Sequence, residues 1–283
     1  MNIKLKTARL SIISNILLIT MKLTIGLISG AVSIISEAIH SGMDLIAAII
    51  VFFSVKISGT PPDREHPYGH GKYENVSGVV EAILIFIAAA FIILEAIKKI
   101  ADHTKVEQLG IGSLVMLISA IVNFIVSHRL YKVAKLTDSI AIEADALHLK
   151  TDIYTSIGVA GGLLLIWITK YYILDPIVAI GVALLILKES YLLLKNAFAP
   201  LIDSSLSETE IMIIRNVIES KGMSYHDLKT RKSGQYRFAD LHLEMSPNSK
   251  LNQVHAVCDE IENEVKLKIN NIELSIHVEP LIK

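Results

Sequence analysis

Six apolar stretches, each near the roughly 20 residues that a helix needs to cross a bilayer, fill the first 200 residues of the chain. They run approximately over Leu10–Gly30, Val32–Phe53, Val76–Ile97, Leu109–Leu130, Ile140–Trp167 and Pro176–Leu194. The pattern predicts an α-helical membrane protein with a six-helix transmembrane bundle. Composition agrees: 52% of residues are hydrophobic, mean hydropathy is +0.52, and 19% are charged against roughly 25% in a soluble domain. A disordered chain, a secreted disulfide scaffold and an ordinary soluble globule are thereby excluded. Cys258 is the single cysteine, so no internal bridge forms, and the net charge of −1 leaves no basic footprint for nucleic acid.

Charge divides the chain in two. Residues 1–200 hold 17 Lys+Arg and 15 Asp+Glu, while the 83 residues of 201–283 hold 10 and 13. A transmembrane domain over 1–200 followed by a soluble domain over 201–283 is the simplest organisation. The first span follows Lys4, Lys6 and Arg9 as a signal peptide would, but its apolar run is too long and five more spans follow. It reads as a retained helix, joined to the second by a tight turn around Ser29–Ser33. An even number of spans puts both termini on one side. Lys56, Arg64, Lys72, Arg129, Lys132 and Lys135 fall on that side with the N-terminal cluster. The opposite loops dilute Lys98, Lys99, Lys105 and Lys170 with Asp102, Glu107 and Asp175. Both termini are therefore expected in the cytoplasm, and the lack of a targeting extension fits a prokaryotic plasma membrane.

The second span reads EAIHSGMDL and the fifth DALHLKTDI. His40 and Asp44, and likewise His148 and Asp152, stand four apart, so each pair shares one helix face about a turn apart. An Asp in mid-membrane costs roughly 2.5–3.5 kcal/mol. Either the pairs glue helices together by hydrogen bonds, or the two faces meet and offer two imidazoles and two carboxylates to one cation. An N2O2 set of this kind suits tetrahedral Zn(II). Glu37 and Glu81 also lie within spans and fit a proton relay or a polar helix contact equally well. Lys22 reads as snorkelling or paired with an acid. In the loop TPPDREHPYGHGKYE, Asp63, His66 and His70 are spaced three and four apart; alone, the histidines fit solvated loop residues as well as ligands.

In the tail, Ser207-Glu208-Thr209-Glu210 has the spacing of a capping box. A helix to about Ser220 follows, then strands near Tyr225–Arg231 and Tyr236–Met245, a helix over about Asn252–Lys268 and a strand over Glu273–Glu279. Leu241, Leu243 and Met245 alternate with His242 and Glu244, as in a half-buried strand. The tail is thus expected to be a small α+β unit of order αββαβ, one sheet covered by two helices. His226, His242, His255 and His277 fall within it, each compatible alone with a surface histidine, and His277 and Glu279 share a strand face.

Together, the six spans, the paired H-x3-D motifs, the D-x2-H-x3-H loop with its GHGK, and the αββαβ tail resemble the cation diffusion facilitator family of proton-coupled divalent metal exporters. The resemblance covers nearly the whole chain. It implies a homodimer, alternating access, and zinc or a related metal ion as cargo, with protons as the counter-ion. It implies a transport site of His40, Asp44, His148 and Asp152 and a loop site of Asp63, His66 and His70. For the tail, it implies a cytoplasmic dimerisation domain whose bound zinc is held by His226, His242, His255, His277 and Glu279. Bacterial members that handle zinc, iron and cadmium often have Asp where His40 stands; His40 resembles the zinc exporters of higher organisms. The family more often has Asp in place of Glu279. His103 and His128 are left without a role.

Two other classes compete with a transporter. A membrane metalloprotease needs H-E-x-x-H, and membrane oxygenases carry clustered HxxHH-type boxes; both are absent from the sequence. A membrane-anchored metal sensor would have no reason to bury two H-x3-D pairs.

Overall fold

The computed structural model describes residues 3–29, 32–102, 111–169, 171 and 173–281. Gly30 and Ala31, on which the expected tight turn falls, the segment 103–110 with His103, Lys105 and Glu107, Lys170, and the side chains of Glu37, Lys99 and Asp175 lie outside the described part. The chain divides into two compact units, Met1–Phe198 and Ala199–Lys283.

The first unit is six long helices: α1 Ile3–Ser29, α2 Val32–Ser58, α3 Lys72–Asp102, α4 Ile111–Thr137, α5 Ile140–Thr169 and α6 Leu174–Phe198. Among the described residues, α1, α2, α3, α4 and α6 hold spans long and apolar enough to cross a membrane. The sixth, α5, has 30 residues, and at about 1.5 Å per residue it is also long enough. Several helices outrun their apolar stretches: α3 begins at Lys72 and α4 continues to Thr137. Backbone hydrogen bonding does not stop where hydrophobicity does.

The side chains are sorted as lipid solvent requires. Leu17, Leu27, Phe91 and Phe124 point outward, while Ala47, Ala48, Ala82, Ala89, Ala144 and Ala146 are buried. Small residues let helix axes approach, because dispersion and interhelical hydrogen bonds, not dewetting, drive packing in a bilayer. Gly158 marks one close approach: a Cβ there would stand 2.8 Å from Val182 of α6. Buried polar side chains bond across or within helices, as in Ser127 Oγ to the Ala146 carbonyl at 2.7 Å and Ser190 Oγ to the Ala82 carbonyl at 2.6 Å.

A polar knot ties the helix ends next to the loop 59–71. Glu74 Oε1 accepts from Lys4 Nζ at 2.9 Å and from Ser58 Oγ at 2.8 Å, and Ser139 Oγ donates to the other oxygen. Lys4, Ser58, Glu74 and Ser139 are all buried. A buried ion pair recovers its desolvation cost only when further hydrogen bonds satisfy it, and the two serines do so here. Next in sequence, Asn75 Nδ2 donates to the Ala197 carbonyl of α6 at 3.2 Å.

The second unit opens with a 3-10 turn, Ala199–Ile202, followed by α7 Glu208–Ser220, β1 Ser224–Ser233, β2 Tyr236–Met245, α8 Leu251–Lys268 and β3 Ile272–Pro280. The capping box is present: Ser207 Oγ accepts from the Glu210 amide, and the Ser207 amide donates to the Glu210 carboxylate. The sheet order is β1-β2-β3, with β1 and β2 antiparallel and β2 and β3 parallel. A parallel pair needs a crossover, which α8 supplies. Ile211, Ile214 and Ile218 recur at helical spacing and pack with Leu241, Leu243, Ile261, Val265 and Leu274 into one core.

Candidate metal sites

Among the described residues, three clusters of acids and imidazoles each have donor atoms within 4.8 Å of one another. The first is inside the bundle. Asp44 of α2 meets His148 and Asp152 of α5, with His148 Nε2 and Asp44 Oδ1 3.0 Å apart. Asp44 is 6% exposed, and Asn123 of α4 donates to Asp152 Oδ2 at 3.3 Å. Asn15 of α1 donates to the Asp44 carbonyl at 3.4 Å, and Lys22 donates to Ser41 at 2.8 Å. The spacing of four within α5 places His148 and Asp152 on one face, and the packing of α2 brings Asp44 to it. His40, one turn before Asp44, is exposed and stands outside the three-donor group.

Two buried acids that sequence reasoning did not assign to this site adjoin it. Glu81 of α3 brings Oε2 to 3.2 Å from His148 Nδ1, and Asp145 of α5 accepts from Ser11 of α1 at 3.1 Å. The signal for Glu81 was its presence as a lone acid in an apolar helix. Asp145 lies one turn before His148 in the same motif-bearing stretch.

The loop cluster is Asp63, His66 and His70. Asp63 Oδ1 accepts from the amides of Glu65 at 2.9 Å and His66 at 2.7 Å, which folds the loop back on its own acid. The bond from the His66 amide, with the nearby imidazoles, holds the Asp63 carboxyl below its usual range. His66 Nδ1 and His70 Nε2 each stand 3.4 Å from this carboxylate, and the two rings are 4.5 Å apart. Thr60 Oγ1 reaches His70 Nδ1 at 2.9 Å, leaving Nε2 turned toward Asp63. Gly69 turns the chain between the two histidines with φ 78.

The tail cluster is His226, His242 and Glu279. Strand register explains it: His226 pairs with His242, His242 with His277, and Glu244 with Glu279, so a row of imidazoles lies beside a row of acids. These side chains stand on the face opposite Leu241 and Leu243. His242 Nδ1 is 3.0 Å and His226 Nε2 3.3 Å from Glu279, while His277 Nε2 stands 3.6 Å from it. The His242 and His277 rings are 4.8 Å apart. Two further acids join the row: Glu244 at 3.4 Å from His226, and Asp227, which sits at a register shift with φ 51 and lies 3.9 Å from His242. Lys229, with the nearby imidazoles, keeps the Asp227 carboxyl below its usual range. His255 lies apart on α8, exposed and 3.5 Å from Asp259. His128 stacks on Phe124.

A bundle of membrane-length helices around a buried acid–imidazole cluster defines a class, that of membrane ion carriers. Residues 8–202 match the family model of the cation efflux transmembrane domain, and residues 206–281 match that of the cation efflux protein cytoplasmic domain. The chain belongs to the cation efflux family, whose members are transporters and not enzymes. It is similar to an uncharacterized transporter of Synechocystis, 32% identical over 93% of this chain and 87% of that one. Protein p34 of Rickettsia rickettsii is 30% identical over 96% and 90%. The cation-efflux pump FieF of Citrobacter koseri is 30% identical over 93% and 88%. Cation efflux across a membrane by a multi-pass protein is therefore its activity.

Proposed function

We propose that the chain exports Zn(II) from the cytoplasm in exchange for protons, with Asp44, His148 and Asp152 as the core of the transport site and His40 as the fourth donor. The observation that carries this reading is the convergence of one imidazole and two carboxylates from α2 and α5 inside the bundle. Zinc takes four ligands, nitrogen at about 2.0–2.1 Å and oxygen at about 2.0–2.2 Å. A side-chain rotation of His40, one turn from Asp44, would complete N2O2. Zinc requires neutral imidazole and ionised carboxylate, so loading the site displaces protons and acid expels the metal. The bacterial sources of its relatives support a prokaryotic plasma membrane, and the loop charges support cytoplasmic termini. The proposed domain division is 1–200 and 201–283, close to the boundary between the compact units Met1–Phe198 and Ala199–Lys283.

The test is zinc uptake by proteoliposomes under an imposed pH gradient. Expected is gradient-driven accumulation that a protonophore collapses; accumulation indifferent to the gradient would sink the exchange mechanism.

The loop cluster of Asp63, His66 and His70 is a second zinc site in this reading. In the tail, His226, His242, His277 and Glu279 bind zinc, with His255 joining them in the homodimer, and so tie two cytoplasmic domains together. The unit has its own core, so residues 203–283 can be made alone. Zinc at a hundred times its Kd should stabilise the folded form by about 2.7 kcal/mol, raising the melting temperature by on the order of 10 °C. His242→Ala should abolish the gain, because it removes the imidazole that faces both neighbouring strands. Acidifying the buffer should also erode it, since protonated imidazole binds no metal. A melting curve indifferent to zinc would make these histidines ordinary surface residues.

A further inference from the structure

Glu81 is the most deeply buried acid near the proposed transport site, 1% exposed on α3. Among the described residues, neither of its carboxylate oxygens has a regular hydrogen-bond partner, and His148 Nδ1 is in the same position. The two groups face each other, with Oε2 and Nδ1 3.2 Å apart. The other ring nitrogen, Nε2, points the opposite way, to Asp44 at 3.0 Å. The imidazole therefore stands between two acids that belong to different helices.

The two acids are not equivalent. The donor directions of Nδ1 and Nε2 diverge widely, so an ion on Nε2 cannot also be reached by a carboxylate placed against Nδ1. Asp44 faces Nε2, Asp152 belongs to the same donor cluster as Asp44 and His148, and Glu81 faces Nδ1 from behind the ring. A ligating histidine characteristically donates its second N–H to a carboxylate or carbonyl, which fixes the tautomer and the ring orientation and makes the ligating nitrogen more basic. Glu81 is placed to receive that N–H. We propose that Glu81 is a positioning residue of the transport site: by accepting from His148 Nδ1–H, it holds Nε2 toward Asp44 and Asp152 as the metal-binding nitrogen.

The assignment explains why a carboxylate stands within the apolar span of α3, where it is expensive. It also gives α3, which supplies none of the clustered donors, a direct part in the site. Because α3 packs against both α5 and α6, a shift of α3 relative to α5 changes how firmly His148 is aimed. This inference rests on His148 being a ligand in the transport site.

The experiment measures the KM for zinc in full-length protein reconstituted into liposomes, comparing native protein with Glu81→Leu, Glu81→Gln and His148→Ala. Glu81→Leu removes the acceptor and should raise the KM about 10–100-fold, whereas Glu81→Gln keeps an acceptor oxygen and should hold it within about threefold. If His148→Ala leaves zinc uptake unchanged, the transport-site reading itself fails. If His148→Ala abolishes uptake while Glu81→Leu leaves the KM at the native value, only the role of Glu81 is overturned. A Glu81→Gln protein as impaired as Glu81→Leu also overturns it, because the carboxylate would then act by charge and not as an acceptor. A measurement on the native chain does not depend on how the Glu81 variants fold. The 15N shifts of zinc-loaded, histidine-labelled protein, with His148 assigned by its loss in His148→Ala, should show a protonated Nδ1 and a metal-bound Nε2. The reverse pattern would rule the proposal out.

Discussion

Asp44→Asn should reduce zinc uptake by reconstituted protein at least on the order of a hundredfold, because even outer partners of a metal site cost 10–100-fold when lost. The substitution keeps size and shape and removes one charge, so packing around α2 changes little. What it removes is the acid closest to His148 Nε2, at 3.0 Å. In the native site, the two carboxylates of Asp44 and Asp152 together match the charge of a divalent ion, and the imidazoles add none. In the variant only the Asp152 carboxylate remains, and an ion in a low-dielectric interior then carries an uncompensated charge. Such a charge is far more costly in the bundle than in water. The comparison variant is His128→Ala, at an exposed ring on α4 that stacks on Phe124, which should transport as the native protein does. Uptake by Asp44→Asn within a few-fold of native would place the transport site elsewhere.

The two H-x3-D motifs were legible in the sequence because a polar pair inside an apolar helix has so few inexpensive explanations. Their spacing fixes a shared face within each helix, and both elements carry that spacing in this structure. Which faces meet is a different matter. It depends on the rotation of each helix about its axis, and α3 shows how weak that signal is in sequence: its span is apolar almost all round, so Glu81 alone does not say where it points. The same holds for Glu74, whose partners Lys4, Ser58 and Ser139 come from distant parts of the chain.

The tail divides similarly. Alternation through Leu241, Leu243 and Met245 gave the buried face, and with it the opposite face of His242 and Glu244. Register was not available, because a period of two says which side a residue faces but not which residue it stands beside. The parallel pairing of β2 with β3 sets His242 beside His277 and Glu244 beside Glu279. It makes Glu244 part of a cluster from which sequence reasoning had omitted it. Asp227 enters only through the irregularity in the β1–β2 ladder, which no local pattern announces.

His40→Asp should raise the rate of cadmium transport relative to zinc by on the order of tenfold, equivalent to about 1.4 kcal/mol. Three donors converge without it, one nitrogen and two oxygens. The fourth donor decides the character of the site. Imidazole makes it N2O2 and neutral once a divalent ion is bound; carboxylate makes it NO3 and leaves one net negative charge. Zinc accepts either set in a compact tetrahedron. Intrinsic affinity follows the metal more than the site, so discrimination has to come from geometry and ligand type. The long, rigid imidazole of His40, swung in from one turn below Asp44, would close the space between α2 and α5 around a small ion. Aspartate is shorter and leaves that space open, and its second oxygen lets it serve a larger ion that takes more ligands. Cations that prefer oxygen, Mn(II) among them, should gain in the same direction. Zinc uptake itself should persist in the variant, since Asp44, His148 and Asp152 are unchanged, and this separates a selectivity effect from a broken site. Competition between the two metals in the same vesicles reads the ratio directly. A native protein that carries cadmium as fast as zinc, or a ratio unmoved by His40→Asp, would show that His40 does not set the filter.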